Sequence, residues 1–295
     1  MSRLRVVERH TRRVQVMGIL NCTPDSFYDG GQYLSDAAAR DRVDALVRDG
    51  ADIIDIGAES SRPGAATIPP AEQIARLGST VAYAAGMGIT VSIDTTSPEV
   101  AAHAIDEGAR IINSVSLEPA AELGSLAARA QCDLVLTHCR GAMRDMPGFS
   151  SGGDDAYDDI VDEVASEWRA AAQRALAAGL PPERLIFDPG LGFAKNATQS
   201  LTLCVRLAEL KARAGGHRLL VGTGRKSFLA HAVAKARGGD PPPPEERLGA
   251  TIAASLDAVE RGADILRVHD VAPMVQALAY NTALAMEGEE ACSRV

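Results

Sequence analysis

Short apolar runs recur along this chain, and nearly every one stops at a polar or charged side chain. VQVMGIL stops at Asn21, ADIIDIG runs into Glu59 and Arg62, ITVSI meets Asp94, ARIIN closes on Asn113, and CDLVLT meets His138. RLIF then leads to Asp188, RLLVG to Arg225 and Lys226, and ADILRV carries Arg267 and His269. Backbone this apolar is buried on both faces, as strands of a parallel sheet are. A polar residue at each carboxyl end therefore points to one shared mouth, where the chemistry is expected.

Alanine-rich segments with helical periodicity lie between these runs, at 36–49, 71–85, 98–107, 120–130, 157–178, 199–213, 227–236, 245–261 and 271–287. Ser35 precedes the first, Ser97 before Pro98 is placed to cap another, and Gly50, Gly108 and Gly262 close three of them. Strands of about five residues alternating with helices imply right-handed βαβ units, hence an open doubly wound sheet or a closed barrel. An open sheet would gather its polar residues at one switch point, whereas here nearly every strand contributes one. The expected fold is therefore α/β, a single-domain (β/α)8 TIM barrel over residues 14–287, with a basic N-terminal tail at 1–13 and a C-terminal tail at 288–295. The proline-rich stretch 237–244 is too short to divide the 295 residues and reads as a surface loop.

A net charge of −9 argues against wrapping nucleic acid with surface lysine and arginine. No stretch approaches the roughly 20 apolar residues that span a bilayer, so a cytoplasmic location is expected, with small-molecule partners and neither membrane nor nucleic acid. The five cysteines lack a C-x-x-C pair, which signals neither a disulfide framework nor a zinc ribbon.

Three joints repeat: G-A-D-I-I-D at 50–55, G-A-R-I-I-N at 108–113 and G-A-D-I-L-R at 262–267. Gly-Ala needs no more explanation than helix termination, but the residue that ends each run is another matter. The loop NCTPDSFYDGG, 21–31, has the length and glycine content of a flap that closes over a ligand. ESSRPG, 59–64, offers hydroxyls and the donor fork of Arg62 to an anion. Asp94, Asn113 and Asp188 together suit the amide and amine edge of a heterocycle such as a pterin or guanine. In DPGLGFAK, 188–195, glycines permit close backbone approach and Phe193 can pack on a ring. GTGRKS, 222–227, fails the Walker pattern, because Arg225 stands where glycine should precede the lysine, yet it opens a helix and carries Lys226. Arg267 and His269 share one face of a strand and can address the same anion, beside Arg62 and Lys226.

Taken in order, GILNCTPDSFYDGG, GAESSRPGA, VSIDT, IIN, DPGLGFAK, GRKSF, ERLGAT and LRVHDV closely resemble the dihydropteroate synthase family, over roughly residues 14–287. The resemblance implies condensation of 6-hydroxymethyl-7,8-dihydropterin diphosphate with p-aminobenzoate, releasing pyrophosphate, with Mg²⁺ as cofactor and commonly a homodimer. By the same resemblance Asp94, Asn113, Asp188, Phe193, Gly222, Lys226 and Arg267 form the pterin pocket, and Asn21, Arg62, Arg267 and His269 bind the diphosphate, with Asn21 also meeting the metal. Phe27, Ser61, Pro63, Gly224 and Lys226 would bind p-aminobenzoate, and Asp29, Arg62, Lys226 and Arg267 carry the catalytic roles. No side-chain nucleophile is required if the leaving group departs early and the aryl amine then attacks.

Three positions depart from the family pattern. Ser114 stands where Asn-Asp is usual, Thr137 replaces a methionine of the pterin pocket, and Gly224 replaces a serine. Two other readings compete: a corrinoid-dependent methyltransferase, which should lack the DSF loop, the S-R-P-G loop and the R-x-H clamp, and a pterin-binding homologue without turnover.

Overall fold

A computed structural model of the chain describes residues 13–22, 36–59, 67–141, 150 and 153–293. Eight parallel strands close into a barrel in chain order: β1 (Gln15–Asn21), β2 (Ile53–Gly57), β3 (Thr90–Asp94), β4 (Ile111–Ser114), β5 (Asp133–Thr137), β6 (Leu185–Asp188), β7 (Arg218–Gly222) and β8 (Ile265–Val268). The helices are α1 (Asp36–Arg48), α2 (Pro70–Leu77), α3 (Thr80–Gly86), α4 (Pro98–Asp106), α5 (Ala120–Ala130), α6 (Ile160–Ala177), α7 (Ala197–Val205), α8 (Leu207–Arg213), α9 (Ser227–Arg237), α10 (Leu248–Glu260) and α11 (Val271–Ser293). The expected (β/α)8 barrel is the fold observed, and among the described residues no helix is long and apolar enough to cross a membrane.

The period of two along each strand decides what lines the interior. Met17, Ile53, Ile111, Val135, Ile186, Leu220 and Ile265 form a buried cluster of their own, one residue from each of seven strands. The eighth, β3, sets Ser92 level with Asp55 and Ile111. Two residues further along, on the same face and nearer the carboxyl ends, come Asp55, Asp94, Asn113, Thr137, Asp188, Gly222 and Arg267. An apolar plug thus underlies a polar layer. Residues of the opposite parity pack outward against the helices: fully buried Trp168 of α6 meets Phe187 in a tilted ring contact, centroids 4.8 Å apart, and donates Nε1–H to the Leu136 carbonyl at 2.8 Å.

Charges close the opposite end of the barrel. Arg218 and Arg184 both pair with Asp133, and Asp264 accepts from Lys211 Nζ at 2.9 Å and from the Leu219 N–H at 2.7 Å. Ion pairs remote from the mouth therefore gather at one face and the polar layer at the other, the division expected of such barrels.

Two helices expected to be continuous are broken. Residues 71–85 divide into α2 and α3 at Gly78, whose φ of 49° helical residues do not adopt, and 199–213 divide at Arg206, which turns to pair with Glu209 and Asp159. Ser97 caps α4 as expected, accepting the Val100 N–H. Helix α11 continues unbroken from Val271 to Ser293.

Candidate active site

At the floor of the mouth, Asp55 ties two strands to its own. Its Oδ2 accepts Asn113 Nδ2 at 3.0 Å and Arg267 Nε at 2.6 Å. Arg267 also donates Nη2 to Asp94 Oδ2 at 2.7 Å. The guanidinium is thereby fixed in its plane by two carboxylates. Burial alone would weaken its charge, but Asp55 and Asp94 hold its pKa above the ordinary value. Burial pushes the Asp94 carboxyl up to about 7, with Arg267 opposing. Asn113 Oδ1 and Asp55 Oδ1 are buried and accept nothing from the described residues. Each such acceptor costs about 1–3 kcal/mol until a donor reaches it.

Asp55 was not among the side chains expected here. The sequence did carry a signal, since the three repeated Gly-Ala joints end on Asp55, Asn113 and Arg267, the residues that bond to one another.

On the other side of the mouth lies the loop after β6. Asp188 is 5% exposed, and its Oδ1 accepts the Gly190 N–H at 2.8 Å. Burial raises its pKa, while Lys226 and the Gly190 N–H pull it back. Lys226 enters from the start of α9, donates Nζ to the Leu191 carbonyl at 2.7 Å and lies 4.6 Å from the centre of the Phe193 ring. Burial lowers its pKa to about 8, with Asp188 opposing. Phe193, expected against a ligand ring, therefore has the Lys226 ammonium over its face. Gly222 lies beside that lysine, a Cβ there standing at ordinary contact distance, 3.6 Å, from Nζ.

Asn21 ends β1 level with Gly57, half-buried. His269 stands at the exposed rim after β8, its carbonyl accepting Arg42 Nη2 at 3.2 Å. Gly224 lies against it, a Cβ there meeting His269 Cδ2 at 3.4 Å and Val268 Cα at 3.5 Å. The structure thus pairs Arg267 directly with Asp94, links Asn113 to them through Asp55, and places Asp188, Lys226, Phe193, Gly222, Asn21, Gly224 and His269 around the same end of the barrel. Phe27, Asp29, Ser61, Arg62 and Pro63 lie outside the described residues.

Three strand-end assignments change. His138 follows β5 but does not enter the mouth: Thr137 takes the inward parity, and His138 is buried outside the barrel against Glu167 and Lys195. Glu59 braces its own loop, accepting the Ile68 N–H at 3.1 Å, and β2 is represented by Asp55 instead. Arg225 turns away to a two-point pair with Asp270, at 2.8 and 2.7 Å. Ser114, one of the departures noted above, builds the turn after β4, its hydroxyl donating to the Ser116 carbonyl.

A donor for anions, carboxylates for ring N–H groups, and a carboxamide, all at the carboxyl ends of a closed parallel barrel, define a barrel enzyme that binds a polar heterocycle carrying negative charge. The family model described as "Pterin binding enzyme" matches residues 17–269. A dihydropteroate synthase of Synechocystis is 41% identical over 269 residues, covering 90% of this chain and 88% of that protein. The solved dihydropteroate synthase of Clostridium difficile, determined with pteroic acid, superposes with a TM-score of 0.81 at 32% identity, over 93% of this chain and 97% of that one. The Xanthomonas albilineans enzyme, with 4-aminobenzoic acid, does so with a TM-score of 0.80 at 36% identity, over 93% and 94%. The chain belongs to the dihydropteroate synthase family of pterin-binding enzymes.

Proposed function

We propose that the chain joins 6-hydroxymethyl-7,8-dihydropterin diphosphate to p-aminobenzoate, giving 7,8-dihydropteroate and pyrophosphate. The observation that carries this reading is the pair of buried acceptors, Asn113 Oδ1 and Asp55 Oδ1, beside the Asp94 carboxylate. A pterin edge presents N–H donors side by side, so binding satisfies groups that are costly when bare. Asp188 extends the row of acceptors. Arg267, with two nitrogens held by Asp55 and Asp94, keeps its guanidinium plane fixed for a flat ring to lie against.

In the reaction, the bond from the exocyclic carbon to the diphosphate oxygen breaks and its electron pair leaves with pyrophosphate. The electron-rich dihydropterin carries the resulting positive charge, the lone pair of the aryl amine forms the new C–N bond, and the nitrogen then loses a proton to the departed pyrophosphate or solvent. The cations of the mouth, Arg267 at its floor and Lys226 at the start of α9, favour the departing anion, as preorganised charge does elsewhere. Asp29 and Arg62 take their parts in this reading on the family resemblance alone.

Mg²⁺ fits the same reading. Among the described residues no three His, Cys, Asp or Glu side chains converge as a cage, and the Asn21 carboxamide is a hard oxygen donor of the kind that shares such an ion with substrate phosphates. Bound there, it would neutralise charge on the leaving group. A cytoplasmic homodimer completes the proposal, Tyr280, Leu284 and Met286 leaving apolar side chains exposed on α11.

The test is pyrophosphate release from the diphosphate substrate with and without p-aminobenzoate and Mg²⁺. Release that depends on Mg²⁺, with dihydropteroate identified by mass only when p-aminobenzoate is present, is expected. Dihydropterin binding without release would instead favour a homologue that binds pterin and does not turn over.

A further inference from the structure

Lys195 is fully buried, 0% exposed, beneath the loop that carries the Lys226 contacts. Its Nζ stands 3.0 Å from His138 Nδ1, 3.0 Å from the Phe193 carbonyl, 3.1 Å from the Gly190 carbonyl and 3.2 Å from the His138 carbonyl. As an ammonium it has three N–H donors for four acceptors here, so its side chain is fully engaged, while burial lowers its pKa to about 7, with Cys139 and Asp188 opposing. None of those bonds reaches the mouth of the barrel.

The backbone around it is shaped to the same end. Ala194 adopts φ 49°, a left-handed conformation that a residue with a Cβ holds only when its surroundings impose it. Gly190 has φ 64°, and a Cβ there would lie 1.9 Å from the His138 carbonyl, the oxygen that Lys195 also reaches. Two strained or glycine-only positions thus bring the loop's carbonyls onto one buried cation. The carbonyl between them in sequence, Leu191 O, accepts Lys226 Nζ, and the Phe193 ring lies under the same ammonium.

Outward, the chain of contacts continues. His138 Nε2 lies 3.0 Å from Glu167 Oε2, and Glu167 is paired with Arg140, whose guanidinium covers Tyr157 at 3.9 Å. Burial and then the Lys195 charge push the His138 pKa down to about 4, so the ring is neutral. Its partners set the tautomer: Nε2–H donates to Glu167 and Nδ1 accepts from Lys195.

We propose that Lys195 is a positioning residue for the reaction, acting through Lys226: held from outside by His138 and Glu167, it fixes the Leu191 carbonyl and the Phe193 ring on which the Lys226 ammonium rests. The inference rests on the function proposed above, in which Lys226 serves substrate. It explains why a lysine that touches neither the mouth nor solvent is built into this loop.

A double-mutant cycle tests it, because residues acting as one unit do not lose activity additively. Turnover by the unaltered protein is measured first and tests the reaction itself; without turnover, the same cycle is read as dihydropterin affinity. Lys195→Met in the unaltered background is expected to lower kcat/KM by up to about 100-fold, the cost of a small misplacement at a reacting centre. In a Lys226→Met background the same change is expected to cost less than about twofold. Equal losses in both backgrounds, or an unchanged kcat/KM in Lys195→Met, would overturn the proposal. Should Lys195→Met fail to fold, Glu167→Gln at the half-exposed end of the relay replaces it. A smaller loss that vanishes in the Lys226→Met background supports positioning, and no loss or a persistent one overturns it.

Discussion

Asp55 and Arg267, 212 positions apart in the chain, meet at 2.6 Å at the floor of the barrel mouth, and Asn113 joins them on the same carboxylate oxygen. Three strands are thereby cross-linked through one buried acid. Removing that acid leaves a guanidinium and a carboxamide without their shared partner. Asp55→Ala is expected to lose about 3–5 kcal/mol of stability, as broken buried ion pairs do, and to weaken dihydropterin binding with it. Urea unfolding compared with the unaltered protein checks this; a loss below about 1 kcal/mol would show that the network does not hold the floor together.

Under the proposed reaction, two ionisations are expected to bound the working range of pH. In the proposed reaction dihydropterin capture uses Asp94 as carboxylate, which is lost as pH falls through about 7, and Lys226 as ammonium, which is lost as pH rises through about 8. A bell-shaped kcat/KM profile with limbs near those values is expected, since that ratio reports the free enzyme. Asp94→Asn should remove the acid limb while leaving the alkaline one. An acid limb that survives the substitution assigns it to another group.

The same shift has a sign for stability. Between the ordinary 3.8 and about 7 the folded chain keeps a proton on Asp94 that the unfolded chain has released. The contribution of Asp94 to stability therefore falls as pH rises through that window, and Asp94→Asn should flatten the fall. Thermal unfolding of both proteins across the window is the measurement; parallel curves would contradict the shift.

Gly224 has room for a serine, its absent Cβ meeting only His269 and Val268 at ordinary contact distances. The hydroxyl that relatives are expected to carry there would reach the p-aminobenzoate carboxylate. Gly224→Ser is expected to tighten both p-aminobenzoate and sulfonamides by about 1.5–3 kcal/mol, roughly 10- to 150-fold. Unchanged constants would show that the backbone N–H groups already supply the whole contact.

Gly190 has no such room. With φ 64° and the His138 carbonyl 1.9 Å from where a Cβ would sit, Gly190→Ala must move one strand end or the loop. A loss of more than about 3 kcal/mol is expected on denaturant unfolding. A variant as stable as the parent would mean that the loop takes another path.

Much of this was legible in the sequence, because a parallel barrel buries both faces of every strand and the polar ends stand out against apolar runs. Asp94, Asn113, Asp188 and Arg267 could be read that way. His138 could not, because one step along a strand reverses the face: Thr137 points in and His138 out, and sequence spacing does not say where the strand ends. Asp55 was hidden by the glycine two residues later, Gly57, which leaves β2 without a polar last residue. Lys195 read as one more polar loop residue, since its burial depends on Ala194 turning left-handed, and alanine does not advertise that.

We infer that side chains from Asn21 to His269 form a single cup for the dihydropterin. A crystal structure with the dihydropterin diphosphate tests it most directly. The ring is predicted within hydrogen-bond reach of Asp94, Asn113 and Asp188, beside Lys226 and against Arg267, with the diphosphate toward Asn21 and His269. A ring bound elsewhere, with Asn113 Oδ1 still unpaired, would contradict the account.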